Sequence, residues 1–90
     1  MTLKVILFAN YRETAGVKDV ELDNVKTVQD IITELTSRYP GLSALLFQDG
    51  ELKRYVNILV NGTGFKDLDG LSTPVHDGDE IKLFPPVSGG

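Results

Sequence analysis

Ninety residues with 41% hydrophobic and 24% charged side chains and a net charge of −4 describe one soluble domain built around a single core. The acidic balance and the lack of any basic run argue against a nucleic-acid partner. With zero cysteines there can be no disulfide, Cys-zinc site or cysteine nucleophile, so any sulfur chemistry must use sulfur delivered from outside. No apolar run approaches the ~18 residues of a membrane span. The start, MTLKVILFANYRE, has only a short alternating apolar stretch and no small-residue cleavage site, so it is not read as a signal peptide and a cytoplasmic location is expected.

Residues 3–9 alternate, with Leu3, Val5 and Leu7 on one face and Lys4, Ile6 and Phe8 on the other, which predicts a strand. Residues 10–16 read as a polar turn closed by Gly16. Residues 18–23 alternate again, Val20 and Leu22 opposite Asp19, Glu21 and Asp23, so the two strands are expected to form a hairpin. Thr27 followed by Asp30 has the spacing of a capping box. Val28, Ile31, Ile32, Leu35 and Tyr39 then form one apolar stripe at helical spacing, stopped by Pro40-Gly41. Leu42, Leu45, Leu46 and Phe47 predict a short second helical turn over the core, and residues 48–51 a turn.

Residues 55–60 are rich in β-branched side chains, with Val56, Ile58 and Val60 opposite Asn57, Leu59 and Asn61; they predict a strand ended by the turn dipeptide Asn61-Gly62. Residues 63–75 carry no clear period beyond a short strand near 63–65. Asp77-Gly78-Asp79 is a turn, and residues 80–84 alternate as a last strand. One main helix against one mixed sheet is a two-layer α+β domain over residues 1–84, with the first and last strands as parallel neighbours.

Residues 85–90, PPVSGG, are set apart as a tail. Pro85 and Pro86 remove two backbone donors and fix φ, so the chain must leave the sheet extended and stiff. Val87 and Ser88 suit extended contacts in a partner groove. Gly89 and Gly90 carry no Cβ, so they fit a channel that any side chain would obstruct.

These residues carry a resemblance. FANYRETAG, VNILVNG and HDGDEIKLFPPVSGG resemble the β-grasp sulfur carriers of the MoaD/ThiS type, typified by the small subunit of molybdopterin synthase. NILVNG and LFPPVSGG are similar still more closely to the small archaeal ubiquitin-like modifiers. The resemblance implies a ubiquitin-like β-grasp with a mixed four- to five-stranded sheet, one main helix on one face and a diglycine tail. It also implies that an adenylating enzyme related to ubiquitin-activating enzymes uses ATP to activate Gly90. Gly90 then becomes a thiocarboxylate for the large subunit of molybdopterin synthase, or ends on a target lysine. On this reading the chain binds no cofactor, supplies no catalytic side chain and is a monomer when free. The alternative is a protein-interaction domain with an inert tail.

A docking face follows from alternation alone. Lys4, Lys82, Asn57 and Asn61 belong in water, which puts Phe8, Phe84 and Leu59 on the same outward side of the sheet. Clustered outward apolar side chains mark a partner site, unless a loop covers them or a bulge flips the register. Tyr11, Arg12 and Glu13 are read as adjacent partner contacts or as simple turn polarity, and Arg12 is counted with the docking residues. His76 beside Asp77 and Asp79 has too few ligands for a metal. Asp19, Glu21 and Asp23 are the wet face of a strand. Asn61-Gly62-Thr63-Gly64 lacks the Lys and helix of a phosphate loop.

Overall fold

The computed structural model describes residues 2–85. Ten elements run in order: β1 Thr2–Leu7, α1 Ala9–Ala15, β2 Asp19–Asp23, α2 Val28–Arg38, α3 Gly41–Leu46, β3 Phe47–Gln48, β4 Glu51–Leu52, β5 Asn57–Val60, β6 Thr63–Gly64 and β7 Glu80–Phe84. Five strands make one mixed sheet in the order β2-β1-β7-β5-β6, and β3 with β4 forms a separate small ribbon. β1 and β7 pair in parallel; β1 with β2, β5 with β7 and β5 with β6 are antiparallel. The expected parallel contact between first and last strands is therefore present, and it places β7 in the middle of the sheet.

The core follows from two periodicities. Leu3, Val5 and Leu7 of β1, Ile58 and Val60 of β5, and Ile81 and Leu83 of β7 are all buried on one face. Val28, Ile31, Ile32 and Leu35 of α2 are buried against them, and Leu42 and Leu46 of α3 close the same cluster. The start of α2 is the capping box its sequence predicts. The Asp30 amide donates to Thr27 Oγ1 at 3.2 Å, and Asp30 Oδ2 accepts from the Thr27 amide at 3.3 Å.

Three expectations are corrected. Residues 10–16 are not a polar turn: Ala9–Ala15 is helix α1, so β1 and β2 pair as predicted but are joined through a helix. The helix lacks the usual entry signals, since its N-cap is Phe8, which makes no side-chain cap, and its first turn has no acid. It is held by burial of Tyr11, 1% exposed, and by Gly16 in the left-handed region at φ 78°, whose amide donates to the Arg12 carbonyl at 2.8 Å. Tyr11 is thus a core residue and not a partner contact. The strand expected over 55–60 begins only at Asn57. Phe47, read as the end of the short helical turn, instead opens β3, while the turn predicted over residues 48–51 is present as the tip of the β3–β4 ribbon, with Asp49 and Gly50 both at positive φ.

Residues 63–75 form β6 and two short 3₁₀ turns, Phe65–Asp67 and Gly70–Ser72. Their end is pinned to the start of α2: the Val28 amide donates to the Thr73 carbonyl at 3.0 Å and the Val75 amide to that of Lys26 at 2.9 Å. This long connection is anchored at both ends, by the β5–β6 pairing and by these bonds, and delivers the chain to the start of β7.

Candidate docking face and tail root

β7 carries the tail. Its residues alternate as predicted, with Ile81 and Leu83 buried while Lys82 and Phe84 are half-buried on the outward face. Register then builds that face row by row. One row runs Asp19, Ile6, Lys82, Leu59, Gly64 across β2, β1, β7, β5 and β6. The next row toward the tail holds Phe84 opposite Asn57, with Phe8 alongside. Phe8 and Phe84 stack with ring centroids 4.3 Å apart and planes 12° from parallel.

Phe8, Leu59 and Phe84 therefore do share one side of the sheet, as alternation predicts, but none is fully exposed. Among the described residues the large apolar side chains most open to water are Val17, Tyr55 and Leu68. The two phenylalanines shield each other by stacking, and Leu59 is the register partner of Lys82 on the next strand. Arg12 is exposed on α1, in the helix that follows Phe8.

At the end of β7 a groove of about 340 Å³ surrounds the root of the tail. Asn10, Tyr11, Leu45, Lys53, Tyr55 and Pro85 line it. Lys53 Nζ donates to the Ala44 carbonyl at 3.0 Å and stands 5.9 Å from the Tyr55 ring centroid. Burial pushes the Tyr11 phenol above its ordinary value, and the Tyr55 phenol adds to the rise. Sequence reasoning assigns neither Lys53 nor Tyr55 to a site: Lys53 lies on an irregular link with no periodic signal, and Tyr55, read as the start of a strand, lies on that same link before Asn57. Of the tail residues only Pro85 is described; Pro86, Val87, Ser88, Gly89 and Gly90 lie outside the described residues.

The opposite end of β7 is built for rigidity. Asp77 Oδ1 accepts from the Thr2 amide at 2.7 Å, and Asp79 Oδ2 accepts from the His76 amide at 2.7 Å. The Glu80 amide donates to Asn61 Oδ1 at 3.0 Å, and Asn61 Nδ2 donates to Asp79 Oδ1 at 3.1 Å. These carboxylates hold turns together. Among the described residues no group of three or more His, Cys, Asp or Glu side chains is placed to hold a metal ion, and no helix is long and apolar enough to cross a membrane.

A central tail-bearing strand, a half-buried aromatic pair beside the point of exit and one main helix packed beneath define a ubiquitin-like β-grasp carrier. Comparison with known proteins gives the family: the chain belongs to the ThiS family, which it matches over residues 5–90. It is 42% identical to small archaeal modifier protein 3 of Haloferax volcanii, covering all of both chains. It is 36% identical to a putative sulfur carrier protein of Archaeoglobus fulgidus, again over both full lengths. With the molybdopterin synthase sulfur carrier subunit of Haemophilus influenzae it shares 32% identity, covering 98% of this chain and 99% of that one.

Solved structures agree. The crystal structure of SAMP1 from Haloferax volcanii superposes with a TM-score of 0.88 at 38% identity, covering 100% of each chain. The BexX/CysO complex of Amycolatopsis orientalis holds a chain that superposes at 0.85, with 34% identity over 98% of this chain and 99% of that one. The ubiquitin-like β-grasp expected from the resemblance is the fold of this protein. Its relatives are named as small archaeal modifiers and as sulfur carriers.

Proposed function

We propose that the carboxylate of Gly90 is activated by a partner enzyme at the expense of ATP, and that the body of the domain, residues 1–84, docks and presents the tail, residues 85–90. The observation that carries this reading is the position of β7. It is bonded on both sides, by β1 and β5, and it ends at Phe84 directly before Pro85. The tail is therefore attached to the central strand of the sheet, beside the apolar face of Phe8, Leu59 and Phe84, and exposed Arg12 is assigned to the same docking surface. The match to the family runs through to residue 90.

A free carboxylate is a poor acyl donor, because its leaving group would be oxide. In the proposed step a Gly90 carboxylate oxygen attacks the α-phosphorus of ATP, a P–O bond forms and pyrophosphate departs. Hydrosulfide from a sulfur donor then attacks the acyl carbon and loses its proton, the C–O bond to AMP breaks, AMP departs and a thiocarboxylate is formed. Alternatively a lysine amine attacks, loses a proton, expels AMP and leaves an isopeptide bond. The adenylating enzyme binds the ATP; this chain holds no cofactor of its own. Pro85 and Pro86 direct the tail, Val87 and Ser88 lie along the partner's groove, and Gly89 lets the terminus through a narrow channel. The acceptor is the large subunit of a molybdopterin synthase in the carrier branch, or target-protein lysines in the modifier branch. The free chain is a monomer in the cytoplasm, where ATP is supplied.

Relatives named for each branch support both, and one activated terminus serves either. The test is ATP–pyrophosphate exchange by the activating enzyme. Exchange that requires this chain and disappears when Gly90 is deleted is the expected result. Exchange indifferent to the deletion would leave only an interaction domain with an inert tail.

A further inference from the structure

Lys82 sits where an apolar docking face has no obvious use for a charge. Its neighbours across the sheet are Ile6 on β1 and Leu59 on β5, and along its own strand Phe84 lies toward the tail. It is the central residue of the outward face, not a member of its rim. Its one ion pair among the described residues is with Glu80, at 3.5 Å, and the two side chains are 37% and 54% exposed. A pair so open to water is weak and readily exchanged. When a partner covers this face, the Lys82 ammonium loses water, and a desolvated ammonium left without a close anion is strongly unfavourable.

We propose that the outward face fits a partner surface that is apolar with a carboxylate at its centre, and that Lys82 is the residue that selects it. This inference rests on the docking role given above and adds the chemistry of the partner. Glu80 is poorly placed to serve as the counter-ion in the closed complex. It lies one row further from the tail, level with Lys4, and more than half of its side chain stays in water. The groove at the tail root agrees in sign, for among the described residues Lys53 is its single charged lining residue. An acidic partner surface would thus meet positive charge both at the centre of the face and where the tail leaves it. Complementary charge of this kind chooses between partners and speeds encounter more than it adds affinity.

The test is the steady-state rate of adenylation by the activating enzyme as the concentration of this chain is varied, at low and raised ionic strength. The set is the wild type, Lys82→Gln, Lys82→Glu, Glu80→Gln and Phe84→Ala, with circular dichroism to confirm the fold of each. Lys82→Glu is expected to raise the half-saturating concentration by about tenfold or more while kcat holds. Lys82→Gln should do so less and should flatten the salt dependence of the wild type. Glu80→Gln should leave binding unchanged or tighter. If Phe84→Ala is impaired while both Lys82 variants match the wild type, the face docks but Lys82 does not select, and the inference is overturned. If Glu80→Gln loses as much as Lys82→Glu, the counter-ion is Glu80 and not the partner, which overturns it equally. If all four variants match the wild type, the docking role itself is lost.

Discussion

The amide of Phe8 donates to the carbonyl of Leu83 at 3.3 Å, so the chain enters α1 and leaves β7 at the same level of the sheet. That one bond brings the Phe8 and Phe84 rings together. It ties the outward aromatic pair to the end of β7, so on the proposed docking role a partner that grips this face would also fix the origin of the tail.

Phe84→Ala separates the two roles of the stack. The ring is only half-buried, so its loss should cost about 1–2 kcal/mol, below the 3–5 typical of a fully buried aromatic. Affinity for the activating enzyme should fall further, by about 2 kcal/mol or ~30-fold, because an aromatic side chain in an interface is a typical hot spot. Urea unfolding and a binding titration measure the two losses. A variant that loses stability but keeps its affinity would remove Phe84 from the interface.

Asn61 makes a prediction at the other end of the sheet. It occupies the left-handed region at φ 51° and bonds both the Glu80 amide and the Asp79 carboxylate. Ala can supply neither bond and dislikes that conformation, so Asn61→Ala should cost about 1–2 kcal/mol. Chemical denaturation should show the lower midpoint. Adenylation of Gly90 at moderate temperature should persist, because this turn lies away from the tail.

Tyr11 gives stability a pH dependence. Its phenol ionises less readily in the folded chain than in the unfolded one, because burial raises its pKa. Its share of stability is therefore intact below the unfolded value of about 10 and declines as pH rises past that toward the raised folded value. Tyr11→Phe has no proton to lose at this position. Stability measured across this alkaline range should fall less steeply in the variant than in the wild type.

What could be read from the sequence divides by the range of the interactions. Thr27 and Asp30 are three residues apart and signal their cap locally, and Glu80 to Phe84 alternate cleanly enough to give both the strand and its faces. Asn61-Gly62 needs only its own backbone preference. Helix α1 was hidden because Phe8 offers no cap and Asn10, Arg12, Glu13 and Thr14 read as loop. Tyr11 and Ala15 at helical spacing, followed by Gly16, were the signal that could have revealed it. The course of residues 63–75 depends on backbone bonds to residues 26–28, far away in sequence, and no local pattern encodes them. That Phe8, Leu59 and Phe84 share the outward side of the sheet was legible, but their half-burial was not, since it depends on the Phe8 and Phe84 rings covering each other.

The most direct measurement is the intact mass of the chain after incubation with its activating enzyme, ATP and a sulfur donor, followed by tryptic mapping of proteins from the host. Replacement of one terminal oxygen by sulfur is expected if the chain is a carrier. Cleavage after Lys82 should leave residues 83–90 branched from target lysines if it is a modifier. A Gly90 carboxylate that stays unaltered in both experiments, with no adenylate trapped on the way, would contradict activation of the terminus.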